Sequence, residues 1–179
     1  MVVQYFNRNQ LAILRDAVDI AEDMTSNYYK LSLSQWKRHP FDVKTLSYLF
    51  GEDSRDNVFA VLKKYMAADS AGTGRLGKSR EFYLICLQDH QILKALQRDR
   101  DVTLLPLLSY ILTHELVHIV RFCKFKVRFD TQEKQCKTKE EKIVHQTTYE
   151  ILKGLSLPNL SYILSSYSRN RLKMDICMV

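Results

Sequence analysis

The sequence predicts an α+β fold that is predominantly helical, and three observations carry that prediction. Apolar residues recur at helical spacing along most of the 179 positions. Two short runs rich in β-branched and aromatic residues, 58–66 and 80–87, interrupt the pattern and read as one β-hairpin. The stretch 104–125 is apolar nearly all round, as a helix at the centre of a domain is.

Taken in order, 9–37 reads as a helix, with Leu11, Leu14, Val18 and Ala21 on one face, Asn9 as the cap, and Pro40 marking the exit. Its polar face carries Asp16, Asp19, Glu22 and Asp23. A short helix is expected over 43–50, ended by Gly51. The hairpin strands follow, joined by the Gly- and Ser-bearing loop 69–79, and Asp89 opens a helix to Arg98. Thr103 is a plausible N-cap and Pro106 a tolerated first-turn proline for the helix over 103–125. After a basic loop over 126–137, Thr138 and Glu141 form a capping-box pair for a helix over 139–154, with Gly154 as its stop. Pro158 and Asn159 start a last short helix, and 169–179 is expected to be an open tail.

Composition narrows the class. With 46% hydrophobic and 26% charged residues and only 5 Gly and 3 Pro, the chain reads as a single domain over 1–179, neither disordered nor of low complexity. Cys86, Cys123, Cys136 and Cys177 form no C-x-x-C pair, which argues against a disulfide framework and a cysteine zinc knuckle. A cytoplasmic location is expected, since the N-terminus lacks a charged start followed by a long apolar run. The 104–125 stretch carries His114, Glu115, His118 and Arg121, so a buried helix is expected there and no membrane span.

Within that helix His114-Glu115-Leu116-Val117-His118 is an H-E-x-x-H motif. Histidines at i and i+4 project from one face a turn apart, so both imidazoles can reach one ion. Glu115 points about 100° around the axis, placed to take a proton from a water that zinc has acidified. A catalytic zinc wants a third protein ligand and an open position. Downstream, Glu140, Glu141 and His145 form the only later segment where acids and a histidine meet, and Glu141 and His145 again stand at i and i+4. An antiparallel helix pair would bring that face against His114 and His118.

The pattern resembles the gluzincin branch of the zincin metallopeptidases, over about 103–154 together with the hairpin. The resemblance implies a zinc-dependent hydrolase acting on a peptide or protein. His114, His118 and Glu141 would be the metal ligands and Glu115 the catalytic base. The hairpin would correspond to the small sheet whose edge strand holds extended substrate. His145 stands where larger members commonly carry an acid. It could orient a ligand, donate to the oxyanion, replace Glu141 as ligand, or join it and close the site. The family's Asn-Glu signature is absent, since Lys139 and Glu140 precede Glu141. The alternative is a non-hydrolytic metal-binding or interaction protein on a similar scaffold.

A second motif, Gly72 to Ser79, satisfies G-x-x-x-x-G-K-[ST], the phosphate-cradling loop. It lacks the buried parallel strand before it and the helix after it that such a loop requires, so it reads as a hairpin loop and no nucleotide is expected. The net charge of +7 is concentrated late in the chain, 104–179 holding 12 basic and 7 acidic side chains. No recognisable nucleic-acid module accompanies that excess, so nucleic acid is not the expected partner; such a run is most often a solvated loop, and its simplest use, if it has one, is to attract an acidic substrate or partner. His90, Tyr83, Tyr149 and Tyr162 are further candidates for oxyanion donors.

Overall fold

The computed structural model describes residues 4–36, 40–48, 54–67, 80–124, 134–168 and 175–178. The loop 69–79 with its phosphate-loop motif therefore lies outside the described residues. The architecture is α+β and mostly helical, as expected, with a small mixed sheet.

The first helix, α1 (Arg8–Tyr29), is capped by Asn7 and not by Asn9. The Asn7 side chain accepts from the Gln10 N–H while the Gln10 side chain accepts from the Asn7 N–H, both at 2.9 Å, a reciprocal capping box. Its buried face is Leu14, Ala17, Ala21 and Thr25, and the small Ala17 and Ala21 let another helix approach closely.

The single helix expected over 9–37 is broken. Lys30 adopts a left-handed conformation, φ 52 and ψ 46, and the Leu31 N–H returns to the Ser26 carbonyl at 2.9 Å. That closure satisfies the terminal carbonyls without a glycine, which is why no sequence signal marks it. A short α2 (Leu33–Trp36) follows, pinned back on α1 by the Trp36 indole N–H donating to Ser26 Oγ.

The helix expected over 43–50 is replaced by strand β1 (Phe41–Lys44) and a 3-10 turn, Leu46–Tyr48. The physical reason is long-range. The Pro40 carbonyl accepts from the Tyr83 N–H at 3.0 Å, and Asp89 Oδ1 takes the Leu46 N–H at 3.0 Å, so partners distant in sequence set this backbone. The same buried Asp89 takes the Phe6 N–H through its other oxygen at 3.1 Å.

Strands β2 (Val58–Ala67) and β3 (Arg80–Leu87) form the expected antiparallel hairpin, in register from Ala60 opposite Leu87 to Ala67 opposite Arg80. The hairpin does not supply the sheet's edge. Strand order is β1-β3-β2-β4, with β1 parallel to β3, and β4 (Asp175–Met178) parallel to β2. Residues 175–178, expected to lie in an open tail, thus complete the sheet, and both hairpin strands are internal.

Helix α3 (Asp89–Arg98) leads to α4 (Leu104–Lys124), in which every residue from Pro106 to Val120 is buried. It packs against α1, α5 (Lys134–Leu152), α6 (Leu160–Ser168) and β2, which accounts for an apolar surface on all sides. Among the described residues no helix is long and apolar enough to cross a membrane. Helix α5 begins before the expected 139, so Thr138 and Glu141 both lie inside it and Thr138 is not its cap. No glycine or proline separates Lys126 from Lys153, so nothing local opposes the earlier start. The shift frees the Glu141 carboxylate from a capping role and turns it toward a neighbouring helix.

Candidate metal centre

Four cross-helix pairs show that α4 and α5 run antiparallel. Tyr110 meets His145, His114 and His118 meet Glu141, and Arg121 meets Glu140. Position rises along one helix as it falls along the other. Repeats of four on both helices therefore face each other.

The H-E-x-x-H turn is at the bottom of this interface. His114 and Glu115 are 0% exposed and His118 1%. The two Nε2 atoms are 3.2 Å apart. Glu141 reaches across from α5, its Oε2 3.3 Å from His114 Nε2 and its Oε1 3.1 Å from His118 Nε2. His145 Nε2 is 4.0 Å from Glu141 Oε2. Ligating atoms of His114, Glu141 and His145 all fall within 4.8 Å of one another. The structure thus brings His114, His118, Glu141 and His145 together, and the charge of the buried Glu115 acts on His118.

Whether this donor set suits zinc is a question of spacing. A tetrahedral ion with bonds of about 2.0–2.1 Å separates its ligating atoms by about 3.3–3.4 Å. The His114 and His118 Nε2 atoms, 3.2 Å apart, are close to that edge length, and Glu141 turns one carboxylate oxygen to each ring, at 3.3 and 3.1 Å. Two neutral imidazoles and a carboxylate are also the donor types that zinc takes. The residues fit the ion.

Burial and charge set the protonation states. Burial holds the His114 imidazole down to about 3, against the pull of Glu141, so it is neutral. His118 is subject to the same desolvation, but the Glu141 carboxylate, aided by Glu115 and Glu140, outweighs it and raises the imidazole above its ordinary range. Desolvation would raise Glu141, yet its bonds to His114 and His118 hold it well below the usual carboxylate range. His145 is lowered by burial, with Glu141 opposing and His118 adding to the effect. Without metal, the centre holds an ionised Glu141 carboxylate that draws the His118 imidazole toward its protonated form.

Packing orients the rings. Among the described residues neither His114 Nδ1 nor His118 Nδ1 has a hydrogen-bond partner, so the polar contact that often fixes a ligating histidine is not what aligns them. Instead the His114 ring sits 4.9 Å from the His118 ring and 4.6 Å from the His145 ring, and Phe122 stacks on His118 at 5.7 Å. Glu140 does not join the group. Its carboxylate is held in a two-pronged pair by Arg121.

Among the described residues the tyrosine that reaches this centre is Tyr110, which is not among the candidates named from the sequence. Its hydroxyl is 2.8 Å from His145 Nδ1. The signal was present, because Tyr110, His114 and His118 stand at i, i+4 and i+8 on one helix face. The other candidates are engaged elsewhere or stand apart: the Tyr83 hydroxyl donates to Glu81, that of Tyr162 to Asp99, and His90 faces Asp56, while Tyr149 lies half-buried a turn beyond His145. Of the late basic residues, Lys137, Lys139 and Lys142 are exposed on α5 around Glu141. Compared with protein-family models, curated proteins and solved structures, the chain matches none.

Proposed function

We propose that the protein is a zinc-dependent hydrolase, a peptidase, in which His114, His118 and Glu141 hold the metal and Glu115 is the catalytic base. The observation that carries this reading is the close approach of the two Nε2 atoms and the Glu141 carboxylate, at 3.1 to 3.3 Å across two helices. Neutral His114 and ionised Glu141 are the forms that bind a cation. Zinc held there supplies Lewis acidity, which lowers the pKa of a water and polarises a carbonyl. Glu115, buried in the same helix turn, would take the proton released from such a water and pass it to the leaving amine. Solvent meets the centre at Glu141, whose side chain is 33% exposed, and at His145, 17% exposed. That is the side from which a substrate would enter, past Lys137, Lys139 and Lys142, whose charge favours an acidic one. A peptide added to the sheet would pair with β1 or β4, since the hairpin strands are internal.

A second reading, a metal-binding protein without hydrolytic activity, draws on the burial of the H-E-x-x-H turn and the approach of His145, which as a fourth ligand would close the site. Elemental analysis after zinc supplementation tests both, and one equivalent of zinc per chain is expected. Cleavage of a mixed peptide library by the wild type and its loss in Glu115→Gln, with zinc retained, separates them. A zinc-loaded wild type inert toward the library would favour the second reading.

A further inference from the structure

We infer that Tyr110 holds His145 in the tautomer that carries its proton on Nε2, so that His145 is a hydrogen-bond donor at the metal centre and not a fourth ligand. The inference rests on the metal-site reading above and deepens it, by naming what the remaining position accepts.

A phenol has one proton to donate, and a buried hydroxyl without an acceptor costs about 1–3 kcal/mol. Tyr110 is fully buried, and its hydroxyl lies 2.8 Å from His145 Nδ1. The neighbouring Tyr167 ring packs on Tyr110 at 5.6 Å, but the Tyr167 hydroxyl has no hydrogen-bond partner among the described residues and so does not take the Tyr110 proton. Desolvation raises the Tyr110 phenol above its ordinary range, so the hydroxyl stays protonated. The proton is then donated to Nδ1, which must be bare. A neutral imidazole with a bare Nδ1 carries its hydrogen on Nε2.

The opposite tautomer would have Nδ1–H donating to the Tyr110 oxygen. It would expose an Nε2 lone pair for a metal, but would strand the phenolic proton in the core.

Geometry on the other side of the ring agrees. His145 Nε2 faces Glu141 Oε2 at 4.0 Å, and the Tyr110 and His145 rings stack at 6.3 Å with planes 26° apart. At that range the negative charge of Glu141 favours a proton on Nε2 over a lone pair. With His145 donating, a bound ion would keep three protein ligands and one open position. The group that fills it would receive a hydrogen bond from Nε2–H. The matching ligand is an oxygen bearing negative charge: the carbonyl oxygen of an acyl substrate as charge develops on it, or a carboxylate or phosphonate that mimics it.

The test is long-range proton–nitrogen correlation spectroscopy of the histidine rings of the 15N-labelled full chain, with and without zinc, with zinc stoichiometry measured on the same samples. His145 is expected to show an unprotonated Nδ1 and a protonated Nε2 in both states. A protonated Nδ1, or an Nε2 bound to metal, would overturn the inference. A chain that takes up no zinc would overturn the metal-site reading, while the metal-free spectra still decide the tautomer. His145→Ala should bind zinc within about threefold of wild type, whereas His118→Ala loses at least ~100-fold; equal losses would make His145 a ligand. Tyr110→Phe should leave zinc affinity unchanged and turn the His145 signals into a tautomer mixture. Unaltered signals in the folded variant would remove the role assigned to Tyr110, and if that variant does not fold, the wild-type spectra and His145→Ala decide.

Discussion

Arg121 on α4 and Glu140 on α5 are joined by two parallel hydrogen bonds, Nε to Oε1 at 2.6 Å and Nη2 to Oε2 at 2.8 Å. The residue after Glu140 is the one whose carboxylate meets both histidines. The pair holds the Glu140 carboxylate away from the centre, in the helix register that presents Glu141 to the histidines.

Arg121→Ala should therefore affect stability and metal binding together. The two side chains are only 15% and 14% exposed, so an unpaired Glu140 would cost about 2 kcal/mol, less than a fully buried pair. Urea unfolding should show that loss. A charge-swapped double variant, Arg121→Glu with Glu140→Arg, should recover part of it, and no recovery would mean that the pair does not support the register.

Glu140→Ala and Glu141→Ala should separate cleanly in zinc affinity. Loss of the Glu141 carboxylate removes a ligand and should weaken zinc at least ~100-fold; loss of Glu140 should weaken it far less. Competition with a chromogenic chelator measures both, and the reverse order would assign Glu140 as the ligand.

Glu115→Gln keeps the size of the side chain and removes the base. Turnover should fall by roughly 10²- to 10⁴-fold while zinc content stays at one equivalent. Unchanged turnover of a cleaved peptide would remove Glu115 from the chemistry.

Acidity should act on the metal-free chain in a stated direction. Unfolded His114 takes a proton near 6.5, but the folded chain refuses it until about 3, so stability present above 6.5 is lost as the pH falls toward 3. Glu141, depressed below 4.5, adds a loss of the same sign. His118 works oppositely, since its raised value gives stability that is full below 6.5 and disappears as the pH climbs through its folded value. Melting in chelator should show a lower midpoint at pH 4.5 than at 6.5. Zinc competes with the proton that His118 binds, so calorimetry in buffers of different ionisation enthalpy should detect proton release on zinc binding that grows as the pH falls.

Asp89→Ala tests the fold apart from the centre. The carboxylate caps the N–H groups of Phe6 and Leu46, residues 83 and 43 positions away. Two unpaired buried donors should cost about 2–4 kcal/mol by urea unfolding. A cost under 1 kcal/mol would mean that neither bond matters to the fold.

The central helix and its motif were legible because they depend on local periodicity. Fifteen consecutive buried residues, Pro106 to Val120, match a run apolar on every side. The spacing of His114, His118, Glu141 and His145 put each pair on one helix face before any contact was known. Less legible were the end of α1, β1, β4 and the start of α5. A left-handed Lys30 carries no glycine, and β1 is held by the Tyr83 N–H and the Asp89 carboxylate. Strand β4 pairs with residues more than a hundred positions earlier.

By itself, then, the sequence determined the helix-rich class, the hairpin and the side-chain types available for a metal, since each follows from spacing of 3.6 or 2 residues along a short stretch. Only the tertiary structure decided that Glu141 and not Glu140 faces the histidines, that Tyr110 meets His145, and that the hairpin lies inside a four-stranded sheet. Those outcomes depend on the register between helices and between strands. Register shows in pairs such as Arg121 with Glu140, whose members are distant in the chain and meet only when the whole core packs.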